Sequence, residues 1–156
     1  MRTQNLLIGR IKMSNYFNKP TIYVSTPIRG TNDDMIGNCQ IALKGVLKLR
    51  RLYPDIYFYL PAEHDELIQI LYNNGKLTEE EILDGDLELL RGCNGWFFYH
   101  FDESRGSEIE RTEAQRIGLV DEGQHDVRYD LAKASYPAIR KTFNPIIESA
   151  ILNFRS

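Results

Sequence analysis

The sequence predicts a doubly wound α/β fold with three layers, in which a central parallel sheet lies between two layers of helices. Three apolar runs of strand length begin at residues 21, 56 and 95. Between and after them lie segments whose apolar residues recur every three to four positions, as on one face of a helix. Such alternation is typical of parallel sheets, because parallel strands need a crossover connection that covers one face of the sheet.

The first strand, helix and strand are predicted between residues 21 and 60. The β-branched and aromatic run Thr21–Ser25 predicts a buried strand. Helical spacing from Asp33 to Tyr53 predicts a long helix with Asn32 as its N-cap residue. The apolar run Ile56–Leu60 then predicts a second strand, which we expect to pair parallel to the first.

The middle of the chain continues the alternation. Helical spacing is present from His64 to Tyr72, and the capping-box pattern Thr78-x-x-Glu81 predicts a further helix through Leu90. The run Gly95–Phe101 predicts the third strand. A second capping-box pattern, Ser107-x-x-Glu110, predicts that the next helix begins at Ser107.

The C-terminal part carries weaker strand signals. The strand signal from Val127 to Tyr129 is weak, so the next strand is expected to be short or missing. A helix is expected from Leu131 to Phe154, interrupted or kinked at Pro137 and Pro145. The whole pattern predicts a flavodoxin-like or Rossmann-like sheet. We expect residues 20–156 to form one domain and residues 1–19, which lack periodicity, to be a flexible extension.

Composition excludes several classes of function. The net charge of −3, with 19 basic and 22 acidic residues mixed along the chain, argues against binding to polymeric nucleic acid. The first apolar run, Leu6–Ile8, is too short for a signal peptide or a membrane span. Cys39 and Cys93 lie far apart without a C-x-x-C pair, as in a protein of the reducing cytosol, so we expect a cytoplasmic location.

Metal chemistry is also not expected from the sequence. His64, His100 and His125 are scattered and form neither an H-x-x-x-H motif nor a zinc-site spacing with cysteine. We therefore predict neither a metal nor another cofactor.

Ligands of open parallel sheets bind at the carboxyl ends of the strands. The loop from Asp102 to Glu108 leads from a strand into a helix, where hydroxyls and backbone N–H groups favour an anion such as phosphate. Arg29 and Gly30, after the first strand, could add a guanidinium donor and a close backbone approach. Equally, the serines and glycine of the Asp102 loop are common turn residues, Arg29 is often solvated, and Glu110 is favoured by a capping box alone.

The combined motifs resemble the nucleoside 2-deoxyribosyltransferase superfamily, and within it the 2′-deoxynucleoside 5′-monophosphate N-hydrolases and nucleotide N-glycosidases. The resemblance covers roughly residues 20–118. It is carried by Tyr23, Ile28-Arg29-Gly30, Glu63-His64, Asp86-Leu-Glu-Leu-Leu and Ser104-x-Gly106-x-x-x-Glu110-x-x-x-Ala114. The chain departs from the family at Asn94, where many relatives have Asp, and after Gly118.

The resemblance implies a role for each matching residue. Glu110 would be the nucleophile or ion-pairing carboxylate at the anomeric carbon, Asp86 the acid that protonates the leaving base, and Tyr23 a residue that orients Glu110 or the sugar. The residues implied in binding the substrate or its 5′-phosphate are Ile28, Arg29, Gly30, Ser104, Gly106, Ser107, His64 and Asn94.

The implied activity is hydrolysis of a nucleoside or deoxynucleoside 5′-monophosphate to free base and sugar phosphate, by a homo-oligomer without a cofactor. Two alternatives stay open. A deoxyribosyltransferase would use the same Glu110 but pass the sugar to a second base. A non-catalytic nucleotide-binding module could share the fold, with Glu110 as a capping residue, since fold does not fix function.

Overall fold

The structure is a computed structural model that describes residues 18–120 and 125–156. Within them the strands are β1 (Thr21–Ser25), β2 (Tyr57–Tyr59), β3 (Gly95–Tyr99) and β4 (Asp126–Val127). The helices are α1 (Met35–Leu52), α2 (Asp65–Asn73), α3 (Glu79–Arg91), α4 (Arg105–Arg116) and α5 (Tyr136–Arg155), and a 3₁₀ helix covers Pro61–His64. Most of the predicted extension, residues 1–17, lies outside the described residues.

The described strands form one parallel sheet in the order β2-β1-β3-β4. Ile22 of β1 lies opposite Phe58 of β2 and Gly95 of β3, so β1 has a neighbour on each side. The chain passes from β1 to β2 on one side and then returns to β3 on the other. This confirms the predicted doubly wound, three-layer α/β/α fold of the Rossmann-like kind, whose ligand crevice lies where the strand order reverses.

Successive residues of β1 face opposite helix layers, because side chains of a strand alternate between the two faces of its sheet. Ile22 belongs to the core that α1 and α5 cover. Tyr23 belongs to the second core, which includes Leu90 of α3 and Ala114 of α4. The same alternation places Ser25 on the side of Tyr23, so both hydroxyls face α4.

Two helices begin at other residues than predicted. Asp34, and not Asn32, caps α1, because its side chain accepts a hydrogen bond from the N–H of Gly37. Likewise α4 begins at Arg105 and not at Ser107, since the N-cap Ser104 accepts from the N–H of Ser107. The predicted capping box between Ser107 and Glu110 is therefore wrong.

The C-terminal helix also begins later than predicted. Residues 131–134 form a turn, in which the N–H of Leu131 donates to the hydroxyl of Tyr99. Ser135 caps α5, and Pro137 lies in its first turn, where a missing N–H costs no helical hydrogen bond. The predicted interruption at Pro137 is therefore wrong, and α5 continues through Pro145.

Other local predictions are confirmed. Thr78 and Glu81 form both hydrogen bonds of a capping box at the start of α3. Of the two possibilities for the region near Val127, the structure has the short strand, β4, and not a missing one. Cys39 and Cys93 are free thiols. None of the helices in the described ranges is long and apolar enough to cross a lipid bilayer.

Glycine 45 is the position at which the packing of α1 on the sheet is most easily tested. A Cβ at Gly45 would lie 2.6 Å from Cε2 of Tyr99 and 3.1 Å from Cβ of Leu131, and both of these side chains are buried. We expect Gly45→Ala to lower the free energy of unfolding by about 1–3 kcal/mol, despite the helix propensity of alanine. Urea denaturation measures this change.

Gly85→Ala in α3 is the matched control, because the added Cβ would meet no atom within 4 Å from the rest of residues 18–120 and 125–156 outside its own stretch of helix. It should raise the free energy of unfolding by up to about 1 kcal/mol. Equal effects of the two substitutions would contradict the described packing of α1.

Candidate active site

A cavity of about 490 Å³ lies at the carboxyl ends of β1 and β3, within the size range of small-molecule sites. Its walls come from the loop after β1, from α3 and from the start of α4. The lining includes residues 28–31, Leu83, Asp86, residues 103–107 and Glu110. The predicted residues Ile28, Arg29, Gly30, Asp86, Ser104, Gly106, Ser107 and Glu110 are thus brought together.

Glu110 is the most constrained polar side chain of the cavity. It is only 7% exposed, and its two carboxylate oxygens each accept a hydrogen bond from a hydroxyl of β1. Tyr23 donates to Oε2, and Ser25 donates to Oε1 over 2.7 Å. Trp96 of β3 donates from Nε1 to Oγ of Ser25 over 2.7 Å, so the serine proton is left for Glu110. The contact between Tyr23 and Glu110 agrees with the orienting role implied for the tyrosine.

Burial raises the pKa of Glu110 to about 7. The hydrogen bonds from Tyr23 and Ser25 act in the opposite direction, since they stabilise the ionised form, and the negative charge of Asp86 adds to the rise. Burial and the charge of Glu110 also raise the pKa of Tyr23, which therefore stays a proton donor to the carboxylate. Glu110 can exchange a proton near neutral pH.

Asp86, on α3, is the second carboxyl group of the cavity. It is partly buried, and burial followed by the charge of Asp65 raises its pKa to about 6. A carboxyl group that acts as an acid is expected in the drier environment, because burial favours its protonated form, yet Glu110 and not Asp86 is the more buried of the two. The two groups therefore lose their protons over a narrow range of pH. Their apparent pKa values then describe the pair and not either residue alone.

The start of α4 presents hydrogen-bond donors to the cavity. Ser107 is buried, and its Oγ has no hydrogen-bond partner among the described residues. A Cβ at Gly106 would meet no atom within 4 Å, so packing in the described protein does not require glycine there. Together with the helix N-terminus, these groups can accommodate an anion.

The loop after β1 is held against the loop after β3. Gly30 has φ +59°, and a Cβ there would lie 2.4 Å from Oδ2 of Asp102. That carboxylate accepts a hydrogen bond from the N–H of Thr31 over 2.7 Å. Asn38 of α1, which is buried, donates to the carbonyl of Ile28 over 2.9 Å. These bonds place Arg29, whose exposed guanidinium lies 3.4 Å from Asp33, at the rim of the cavity.

Two predicted residues are not part of the cavity. Asn94 lies at the opposite end of the sheet, where its Oδ1 accepts from the N–H of Thr21 at the start of β1. Because the strands are parallel, a residue that precedes β3 cannot reach the carboxyl end of β1. His64 ends the 3₁₀ helix and stacks on Tyr59, with ring centroids 5.8 Å apart, rather than lining the cavity.

Sequence reasoning missed three residues of the site. Ser25 and Trp96 support Glu110, and the two-residue alternation from Tyr23 was the signal that could have identified Ser25. Arg105 lines the cavity beside Ser104, and its exposed side chain forms no hydrogen bond or ion pair with residues 18–120 or 125–156. It occupies the variable position between Ser104 and Gly106 of the motif.

No protein-family model, curated protein or solved structure matches the chain. The family resemblance of the motifs therefore stays a prediction. The fold and the cavity define an α/β protein of the Rossmann-like kind with two carboxyl groups at its ligand crevice.

The pKa of Glu110 leads to a stability test. Its value of about 7, against an ordinary 4.5, means that the folded state favours the protonated acid. This contribution to stability is complete below pH 4.5 and is lost as the pH rises through 7. Glu110→Gln should therefore unfold with a free energy about 1–3 kcal/mol higher than the wild type at pH 8, and nearly equal at pH 4. Urea denaturation at both pH values measures the difference.

Glu113 on the same helix is the control, because its pKa is shifted in the opposite direction and its substitution should change stability in the opposite direction. Hydrogen bonds from Arg116 and Arg91 lower its pKa to about 2, so its contribution is present above pH 4.5 and is lost as the pH falls through 2. Glu113→Gln should be less stable than the wild type at pH 8. A Glu110→Gln variant that is also destabilised at pH 8 would contradict the description of Glu110.

Proposed function

We propose that the chain is an N-glycosidase that hydrolyses a nucleoside or deoxynucleoside 5′-monophosphate to free base and sugar phosphate. One observation carries the proposal: Glu110 is buried at the cavity, holds two hydroxyl donors and lies near a second carboxyl group, Asp86. Paired carboxyl groups of this kind are the usual machinery of glycosidic bond cleavage.

The chemistry of the anomeric carbon needs an ionised carboxylate. As the bond from C1′ to the base nitrogen breaks, positive charge develops on the sugar ring. Glu110 stabilises this charge, either by electrostatic attraction or by forming a bond from a carboxylate oxygen to C1′. Water then supplies a hydroxyl group to C1′ and frees Glu110. Tyr23 and Ser25 hold the carboxylate in place throughout, so no reorganisation is needed at the moment of reaction.

The departing base needs a proton, and in the proposed reaction Asp86 supplies it. The raised pKa of this carboxyl leaves a fraction protonated at neutral pH. After the base departs with the proton, ionised Asp86 can accept one from the attacking water, which restores the starting state. The active pair therefore carries one proton in total. Because the pKa of Glu110 is the higher of the two, this proton resides more often on Glu110, and the reactive form is the smaller fraction in which Glu110 is ionised and Asp86 is protonated.

The start of α4 supports a substrate with a 5′-phosphate. Three features suit a phosphate group: the hydroxyl of Ser107, which has no hydrogen-bond partner among the described residues, the open space at Gly106 and the positive end of the helix. The guanidinium groups of Arg105 and Arg29 add charge at the same rim. A transferase that acts on free nucleosides has no use for this set of donors, so hydrolysis of a monophosphate is favoured.

The position of Glu110 also bears on the non-catalytic alternative. That alternative explained Glu110 as a capping residue, but Ser104 caps α4 and Glu110 lies six residues further along the helix. Its carboxylate bonds to β1 instead. Ionising a carboxylate in this buried place costs stability, and a catalytic use explains why the acid is kept there.

Chromatographic detection of free base, after incubation with nucleosides and their 5′-monophosphates, tests the proposal. The wild type should release base from at least one monophosphate. Glu110→Gln should lower kcat by about 100- to 1,000-fold, since it removes the charge that stabilises the transition state. Glu148→Gln, an exposed change on α5, is the matched control and should retain full activity.

The other outcomes separate the alternatives. Release that needs an added acceptor base would establish a transferase, and no release from any substrate would favour a binding module. Arg105→Ala should raise KM for the monophosphate and leave the turnover of the nucleoside unchanged. An equal loss on both substrates would contradict the placement of the phosphate at α4.

The pH dependence of base release tests the pairing of Glu110 with Asp86. Because the pair must carry one proton, kcat/KM should be bell-shaped, with a maximum between about 6 and 7. Below this range the pair carries two protons and above it carries none, so the one-proton form is lost on both sides. Asp86→Asn should lower the maximal rate by about 100-fold and abolish the decline on the alkaline side. A variant that keeps the alkaline decline would contradict the role of Asp86.

A further inference from the structure

His100 is a buried histidine that the proposed reaction does not use. It follows β3 directly and is 6% exposed. Its ring stacks on Phe98, with centroids 4.0 Å apart and planes 13° apart. Its Nδ1 lies 3.1 Å from Oδ2 of Asp126, within hydrogen-bond distance. The ring orientation is therefore fixed from two directions.

The other ring nitrogen of His100 is left without a hydrogen bond. Nε2 lies 3.5 Å from Oε1 of Glu103 and makes no hydrogen bond to any residue in the ranges 18–120 and 125–156. Buried polar atoms of folded proteins nearly always have a partner, because an unpaired one costs free energy. An oriented imidazole nitrogen that makes no hydrogen bond within the described part of the chain is available to bind a ligand.

Two carboxylates face this nitrogen. Ligand atoms of His100, Glu103 and Glu108 all lie within 4.8 Å of one another. Ligands around a tetrahedral Zn²⁺ ion are about 3.3 Å apart, so the ligand atoms must approach one another by at most about 1.5 Å. The side chains of Glu103 and Glu108 are 70% and 46% exposed, and both can move this far without disturbing the core.

We propose that His100, Glu103 and Glu108 bind a divalent transition-metal ion of the Zn²⁺ type at the edge of the cavity. One imidazole nitrogen and two carboxylate oxygens supply three ligands, and water completes the tetrahedron. Asp126 holds Nδ1, and a carboxylate in this position commonly orients a metal-bound histidine. The ion would link the end of β3 to the start of α4. His100 and Glu103 precede residues 104–107, and Glu108 follows them.

The surrounding charges are compatible with a dication. Arg111 donates to Oε1 of Glu108 over 2.9 Å and also pairs with Asp126, while Arg128 lies 3.0 Å from the same aspartate. Three carboxylates thus face two guanidinium groups. Because a carboxylate has two oxygens, Glu108 can bind an ion with one and keep Arg111 on the other.

The donor set also determines which ion is preferred. Mg²⁺ and Ca²⁺ bind almost entirely to oxygen, whereas imidazole nitrogen favours Zn²⁺ and neighbouring transition metals. The spacing His-x-x-Glu-x-x-x-x-Glu lacks a second histidine or a cysteine. For this reason the sequence predicted no metal, and the fold was needed to bring the three side chains together.

Titration calorimetry of the full chain without an affinity tag, with ZnCl₂ as the probe, tests the proposal. The wild type should bind one Zn²⁺ per chain, and excess Mg²⁺ should not compete. His100→Asn and Glu103→Gln should each weaken binding by at least about tenfold, and Asp126→Asn by about 10- to 100-fold. His64→Asn, which changes an exposed histidine outside the cluster, is the matched control and should bind like the wild type.

The exposed ligands keep the test decisive if His100→Asn does not fold. Glu103→Gln and Glu108→Gln change exposed side chains, so the double variant should fold. Because it lacks two of the three ligands, it should lose Zn²⁺ binding. The proposal is overturned if the wild type shows no saturable binding, if the double variant binds like the wild type, or if His64→Asn binds as weakly as the His100 variant. Binding is measured without turnover, so the result is independent of the proposed glycosidase activity.

Discussion

The buried carboxylate of Glu110 is the interaction on which the site depends. It joins α4 to β1 through hydrogen bonds from Tyr23 and Ser25, and Trp96 of β3 fixes the serine. The helix that carries Glu110 also carries Ser104 to Ser107 at its start. Placing the carboxylate therefore also sets the position of the donors that face the cavity.

Two glutamates of α4 show how the environment sets the behaviour of one residue type. Glu113 lies between Arg91 and Arg116, with hydrogen bonds of 2.5 Å and 2.7 Å, and its pKa falls to about 2. Glu110 has only neutral donors, and its pKa rises to about 7. Glu113 stabilises the contact between α3 and α4, whereas Glu110 is costly to ionise and lies at a cavity. Such a perturbed group in a cleft is a frequent mark of a functional site.

Periodicity was sufficient to predict the sheet, its parallel strands and its helices, because alternation of strand and helix permits few arrangements. Helix starts were harder, since Ser104 and Ser107 are both good capping residues and only tertiary contacts decide between them. Among the site residues, Tyr23, Asp86 and Glu110 come together as the motifs indicated. Asn94 does not, because it precedes its strand. Arg105 was missed, since the motif leaves its position variable.

The pKa of Glu110 in the folded protein is the measurement that tests this account most directly. The ¹³Cδ chemical shift of Glu110 can be followed against pH in uniformly ¹³C-labelled protein, with the spectrum of Glu110→Gln to assign the signal. We expect a midpoint near 7, and a lower midpoint in Asp86→Asn, where the neighbouring charge is absent. A midpoint at or below the ordinary 4.5 would contradict it, because the carboxylate would then be stabilised by its surroundings as an ion.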